Sequence, residues 1–432
     1  MKHYGLLRTL LRTKPLVHTL VAVFFIVALV VVAAGAGDDV FIYLPVISQA
    51  EEPEPETMVE FRGLWVTRFD FTRETPSPAT VDKIVADAAM AGFNVILFQV
   101  RGTADALYDS PLEPWSARLT GTLGEPPNPY WDPLAYLVQR AHAAGIEVHA
   151  YINVYPVWLA GSTPPHTTPE HLYHLLAQAH GTSDGRLNGL QWNTAHEVAG
   201  GSYQRATPAS FFVDEHLVAV ATDLVTRYEI DGLHLDHIRY DGGNTSCDPV
   251  SESRAGVPCF HTPPGYASYG DWQRAQVNGT VSRFYEDVIV PANRKLWLSA
   301  AVWPIYRDYW NWGIHTGYDY YYQDSQAWLA GGYIDSISPM IYGSSFWTQS
   351  VWQTLVANFQ AHNAGRYVIP GIHGNYDDFG EITTRIEMGR QLGTAGHAIF
   401  AYGYLDDHDY FDDLAAGPYA TPAVLPPLPW HP

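Results

Sequence analysis

From residue 58 onward, short apolar runs alternate with stretches whose apolar positions recur at helical spacing. Strands are predicted over 61–69, 94–100, 146–155, 231–240, 296–303, 334–342, 367–372 and 398–404. Helices are predicted over 80–91, 132–144, 213–228, 271–293, 323–330, 351–363 and 382–392. Several strand runs, 94–100 among them, are apolar throughout, as befits parallel strands covered on both faces. Asp132 followed by Pro133 and closed by Gly145 has the punctuation of a capped helix. Eight strand–helix alternations with short returns predict an α/β chain folded as a (β/α)8 TIM barrel.

The connections are unequal. Long ones, 102–131, 156–210 and 241–270, follow the second, third and fourth strands, whereas the returns Ala144-Gly145 and Gly331-Gly332 are tight. In a barrel the loops after the strands form the mouth where substrates bind. The fourth strand carries the most informative alternation. Gly232, His234 and Asp236 share one face, and Leu233, Leu235 and Ile238 mostly take the other. Asp236 is thereby expected at the mouth as a catalytic carboxylate, the alternatives being a loop cap or an ion pair with Arg239. Continued alternation turns His237 away from it.

The ends differ from this middle. Lys2, Arg8, Arg12 and Lys14 precede an apolar run over 16–36, which contains Ala34-Gly35-Ala36. Residues 1–37 therefore form a signal peptide or a signal anchor, and either one exports the rest. Membrane contact is expected through this segment only. Residues 38–57 end in an acidic, Pro-rich linker, 58–415 form the catalytic domain, and 416–432 form a Pro-rich tail expected to be loose. Cys247 and Cys259, the two cysteines present, are close enough in one loop to pair as a disulfide in an exported protein.

A formal net charge of -21 argues against nucleic acid and against anionic polymers held by charge, and a neutral or weakly charged substrate such as a polysaccharide or oligosaccharide fits better. The 14 Trp and 28 Tyr supply rings on which sugar faces stack. Polar residues at predicted strand ends include Arg68 and Asp70, Gln99, Arg101 and Asp105, Asn153 and Tyr155, and Tyr402 and Tyr404. Glycoside hydrolysis needs two carboxyl groups. Asp105 is the first choice to partner Asp236, ahead of Glu113 and Asp70. Substrate contacts are expected from Arg101, Tyr108, Trp115, Asn153, His234, Arg239, Trp303, Tyr342 and His373. The loops after strands two to four should wall a groove with Tyr108, Trp115, Tyr130, Trp131, Trp158 and Trp192. Serine-nucleophile and phosphate-loop patterns are absent. No cofactor and no catalytic metal is expected, since the first strand has no His-x-His pair. The chain is expected to act as a monomer. A non-catalytic carbohydrate-binding barrel and a metal-dependent polysaccharide deacetylase are the rival readings.

Several blocks resemble one known family. Glu60-Phe61-Arg62-Gly63-Leu64-Trp65-Val66-Thr67 is similar to the opening strand of the glycosyl-hydrolase-like 10 family of exported bacterial proteins. Phe98-Gln99-Val100-Arg101, Asp105-Ala106-Leu107-Tyr108 and Leu112-Glu113-Pro114-Trp115-Ser116 resemble its second block, and Asp132-Pro133-Leu134 with 141–150 its third. The stretch 231–240 is the most specific, and the likeness runs in order over about 58–405. It implies a (β/α)8 barrel and glycan hydrolysis, some relatives being linked to peptidoglycan strands lacking stem peptides. It supports Asp236 and Asp105 as the catalytic pair. Three features depart from the family pattern: His237 where many members carry a second acid, Asn153-Val154-Tyr155 in place of Asn-Pro-Tyr, and the insertion bearing the two cysteines.

Overall fold

The computed structural model describes residues 57–343 and 345–431. The expected signal segment and all but the last residue of the linker lie outside them. One parallel sheet dominates, with strands Phe61–Val66, Val95–Arg101, Glu147–Asn153, Gly232–Asp236, Trp297–Val302 and Ser336–Pro339 side by side in that order. The seventh strand is recorded in two pieces. Tyr367–Val368 pairs with the sixth strand, and Gly371–His373 pairs with the eighth, Gly396–Phe400. Pro370 interrupts it because proline has no N–H to donate to a ladder. The eighth strand pairs with the first, so eight strands close the barrel.

Helices Pro78–Ala91, Pro133–Ala143, Phe211–Arg227, Tyr269–Arg283, Ser325–Gly331, Gln349–Ala361 and Gly380–Gln391 cover the outside. The start of Pro133–Ala143 is capped as the sequence suggests. Asp132 accepts from Leu134 N and Ala135 N, with Pro133 at the first helical position. No helix among the described residues is long and apolar enough to cross a membrane.

Inside the barrel, side chains pack in layers. Phe61, His149, Trp297 and Tyr367 fill the amino-terminal end. A Cβ on Gly232 would lie 2.7 Å from the His149 ring, so the start of the fourth strand requires glycine. The tail is packed rather than loose. Ala423–Val424 pairs with Met58–Val59, Leu428 is buried with the lower layer, and Trp430 and His431 both bond Asp335. Its prolines leave extended backbone between apolar anchors, and those anchors fix it.

Four strand predictions run three or more residues too far, the fourth strand stopping at Asp236 and the sixth at Pro339. The first strand stops at Val66, and Arg68 and Asp70 lie on a helical turn, Arg68–Phe71, capped by Thr67. The eighth stops at Phe400, placing Tyr402 and Tyr404 on helix Tyr402–Asp407.

Candidate active site

Asp236 ends the fourth strand at the carboxyl-terminal mouth, beside Asn153 in the ladder register. Its side chain is 16% exposed. Oδ1 accepts from the His237 backbone N–H at 2.6 Å and lies 3.5 Å from Arg239 Nη1; Oδ2 lies 3.5 Å from the Tyr151 hydroxyl. Simple alternation turns His237 away. Instead His237 takes a left-handed backbone conformation, φ 51°, as the strand ends. That breaks the alternation and brings its Nε2 to 3.9 Å from Asp236 Oδ2.

Beneath the carboxylate lies an aromatic floor. The His234 ring sits 5.6 Å from Trp65 and 5.9 Å from Tyr151. Tyr342 stacks on Phe400 at 4.6 Å and lies parallel to His373 at 6.3 Å. A Cβ on Gly371 would meet the Tyr342 ring at 2.6 Å, so glycine leaves room for that ring to cross the interior. Trp303 rises at the rim, braced by Tyr321 at 4.0 Å and with the Arg239 guanidinium 5.6 Å from its centroid.

Burial acts to raise the Asp236 carboxyl, but His237, Arg239 and the His237 N–H outweigh it and hold it below the ordinary aspartate range. Burial drives His237 down to about 3, so at neutral pH its ring is uncharged and Arg239 with the N–H carries the stabilisation. Burial likewise lowers His234 to about 3. Tyr151 and Tyr342 are pushed well above the usual phenol range by burial and by the Asp236 charge. At neutral pH Asp236 is therefore an ionised carboxylate beside Arg239, among the uncharged side chains of His234, His237, Tyr151 and Tyr342. Four atoms there have spare hydrogen-bonding capacity although buried: Asn153 Oδ1, His234 Nε2, His237 Nδ1 and Arg239 Nη1. Buried polar atoms are nearly always paired, so such a cluster is fit to meet solvent or a ligand's hydroxyls.

Asp105 lies just past the second strand, buried, its Oδ1 accepting from Thr103 N at 2.6 Å and Thr103 Oγ1 at 3.2 Å. It neighbours Arg68: a Cβ on Gly102 would lie 2.8 Å from Arg68 Nη1 and 3.0 Å from Asp105 Oδ1. Arg68 bonds the Tyr203 hydroxyl, and the Tyr203 ring lies edge-on to His237. Arg68, Tyr203 and His237 thus form a chain of neighbouring side chains that runs from Asp105 to Asp236. Asp70 instead caps its own turn, accepting from Thr67 N, Thr67 Oγ1 and Gly403 N.

Other expected contacts lie elsewhere. Arg101 is wholly buried, bidentate on Glu113 at 2.7–3.0 Å and bonded to the Asn153 and Val154 carbonyls. Glu113 also meets His216 Nε2 at 2.9 Å. These residues anchor the second loop to the helix ring and face no substrate. The same inward fold buries Tyr108 against Tyr228, Trp115 beside Tyr130, and Trp192 with its indole N–H on the Leu187 carbonyl. Trp158 rests on His171, and Trp131 packs on Phe71 and Tyr136; Tyr130 is exposed. Tyr155 bonds Thr280, and Tyr402 reaches Asp87 outside the barrel.

Sequence reasoning missed Tyr151, two residues before Asn153 on the same face, which strict alternation could have found. It also missed a fourth long mouth loop, 303–324. That loop carries Trp310 stacked on Trp312 at 4.6 Å and His315 stacked on Tyr320 at 3.6 Å. Cys247 and Cys259 are joined as expected. A cleft of about 970 Å³ opens between the loops after the first and second strands, with Arg118 and Trp131 on its walls. No strand-end candidate lines it, so its size does not make it the reactive centre.

A family model described as glycosyl hydrolase-like 10 matches residues 60–369. Glycosyl hydrolase YngK of Bacillus subtilis (strain 168) is 26% identical over 380 residues, covering 81% of this chain and 68% of the relative. Glycosyl hydrolase DigH of Escherichia coli (strain K12) is 28% identical over 264 residues, covering 58% of this chain and 55% of the relative, so the match spans about half of that protein. The PgaB (BpsB) glycoside hydrolase domain of Bordetella bronchiseptica superposes with a TM-score of 0.59 at 15% identity, covering 82% of this chain and 98% of that domain.

Proposed function

The chain belongs to the glycosyl hydrolase-like 10 family, and from that membership we propose that it is an exported glycoside hydrolase acting on an extracellular or cell-wall polysaccharide. The observation that carries the reading is the strand-end cluster around Asp236: an ionised carboxylate over an aromatic floor, ringed by polar atoms with spare hydrogen-bonding capacity. Asp236, held ionised, is suited to be nucleophile or base. Asp105, linked to Asp236 through Arg68, Tyr203 and His237, is the choice for the second carboxyl group. Trp303 and Tyr342 offer ring faces to sugar, and Asn153, His234 and Arg239 offer hydrogen bonds to hydroxyls. Glycan strands of peptidoglycan freed of stem peptides are the first substrate to assay.

Long loops stand on both sides of this cluster, which fits an extended groove and endo action. The expected result on a polymeric glycan is an early spread of oligosaccharide lengths by mass spectrometry. Steady release of one small sugar would replace the groove with a pocket. Binding without turnover across a glycan panel would favour the carbohydrate-binding barrel.

A further inference from the structure

We infer that His166, Glu170 and His174, in the loop after the third strand, form a binding site for a zinc-class divalent cation that staples this loop. Among the described residues, this trio is the one group of three His, Cys, Asp or Glu side chains whose potential ligand atoms come together, each within 4.8 Å of the others. The donor set is two imidazoles and a carboxylate, which suits zinc and its first-row neighbours and is nitrogen-rich for calcium or magnesium. A water completes a tetrahedron.

His174 and Glu170 are already held by backbone groups. His174 Nε2 lies 2.9 Å from the Pro164 carbonyl, which can only accept; the ring therefore donates from Nε2, and Nδ1 carries the lone pair. A ligating histidine commonly donates its other N–H to a backbone carbonyl in this way. His166 Nδ1 and Glu170 Oε2 are 2.8 Å apart, and the His166 and His174 rings are stacked at 3.8 Å, so one ring turns about its side-chain torsions to bring both in-plane lone pairs onto a shared cation. Glu170 Oε1 is held by the His171 N–H at 3.1 Å. A cation bound at His166 Nδ1 and Glu170 Oε2 would displace the proton between them, which passes to His166 Nε2 when the ring is neutral and to solvent when the ring is an imidazolium.

The position gives the staple a use. His171 follows Glu170 directly, is buried, and caps helix Leu172–His180 through Nδ1. Its Nε2 donates to the Thr103 carbonyl at 3.0 Å, and Thr103 holds Asp105. A cation at Glu170 thereby ties the third loop at the point where it grips the turn bearing Asp105.

The test is calorimetric titration of ZnCl₂ into the tag-free protein. One saturable equivalent is expected, weakened at least about tenfold in H174A and in E170Q and retained in H196A, which alters an exposed histidine of the same loop. Free zinc at a hundredfold excess over Kd should shift the wild-type folding equilibrium about a hundredfold. CoCl₂ added to the wild type should give visible bands of a nitrogen-ligated tetrahedral ion, a readout independent of variant folding. No saturable equivalent, an equivalent kept in both H174A and E170Q, or only the spectrum of aqueous cobalt would overturn the inference.

Discussion

Asp236→Asn is expected to lower kcat by about three orders of magnitude or more while leaving the melting temperature within about 2 °C of wild type. The amide is isosteric, so the packing over Tyr151 and His234 survives. It has no negative charge, so it can neither attack an anomeric carbon nor take a proton from water. Little stability is expected to go with the charge, because its partners are long: Arg239 at 3.5 Å and the Tyr151 hydroxyl at 3.5 Å. The His237 N–H, at 2.6 Å, keeps an acceptor in the amide oxygen. The acid limb of kcat/KM should fall below the ordinary aspartate range, in keeping with the depressed carboxyl. Reducing-end release with thermal unfolding checks both halves, and wild-type turnover in this variant would remove Asp236 from the reaction.

Glu113→Gln should act in the opposite way, on the fold first. Both members of the Arg101–Glu113 pair are fully buried, and the substitution leaves the Arg101 guanidinium without its counter-charge. Breaking such a pair from one side costs about 3–5 kcal/mol. Burial would raise the Glu113 carboxyl, but Arg101 and His216 bring it down to about 2 from an ordinary 4.5. A depressed carboxyl contributes stability that is fully present above pH 4.5 and is lost as pH falls from there toward 2. Wild-type stability should therefore drop through that window, and the variant, already weakened, should drop less. Denaturant unfolding at about pH 7 and about pH 3, above and within that window, separates the two. Equal slopes would show that Glu113 is not the group responsible.

These two residues also mark how far the sequence could be read. The barrel was legible because its strands are apolar runs and its returns are tight, both local signals. The position of Asp236 at a strand end was legible because alternation along Gly232–Asp236 is strict. His237 was not, since a single left-handed residue reverses the facing of everything after it and histidine gives no warning of that. Arg101 and Glu113 looked like mouth residues because each lies at or beyond a strand end. Their burial depends on the second loop folding back onto the helix bearing His216, a contact between residues 103 apart. Tyr108, Trp115 and Trp192 misled for a related reason. Rings in a mouth loop serve the loop's own core as readily as a sugar, and nothing in the local sequence says which. The tail's prolines suggested a loose end, yet Leu428 and Trp430 found the open base of the barrel.

With Asp236 as the reacting carboxylate, a glycosidic bond lies over it at the barrel mouth. The most direct measurement is a crystal structure of the Asp236→Asn protein with a peptidoglycan-derived oligosaccharide bound. A sugar ring is expected on Trp303 or Tyr342, with an anomeric carbon about 3–3.5 Å from the substituted side chain, the separation of a near-attack arrangement. An oligosaccharide seated instead in the cleft by Arg118 and Trp131, with only water over the aromatic floor of His234 and Tyr342, would contradict it.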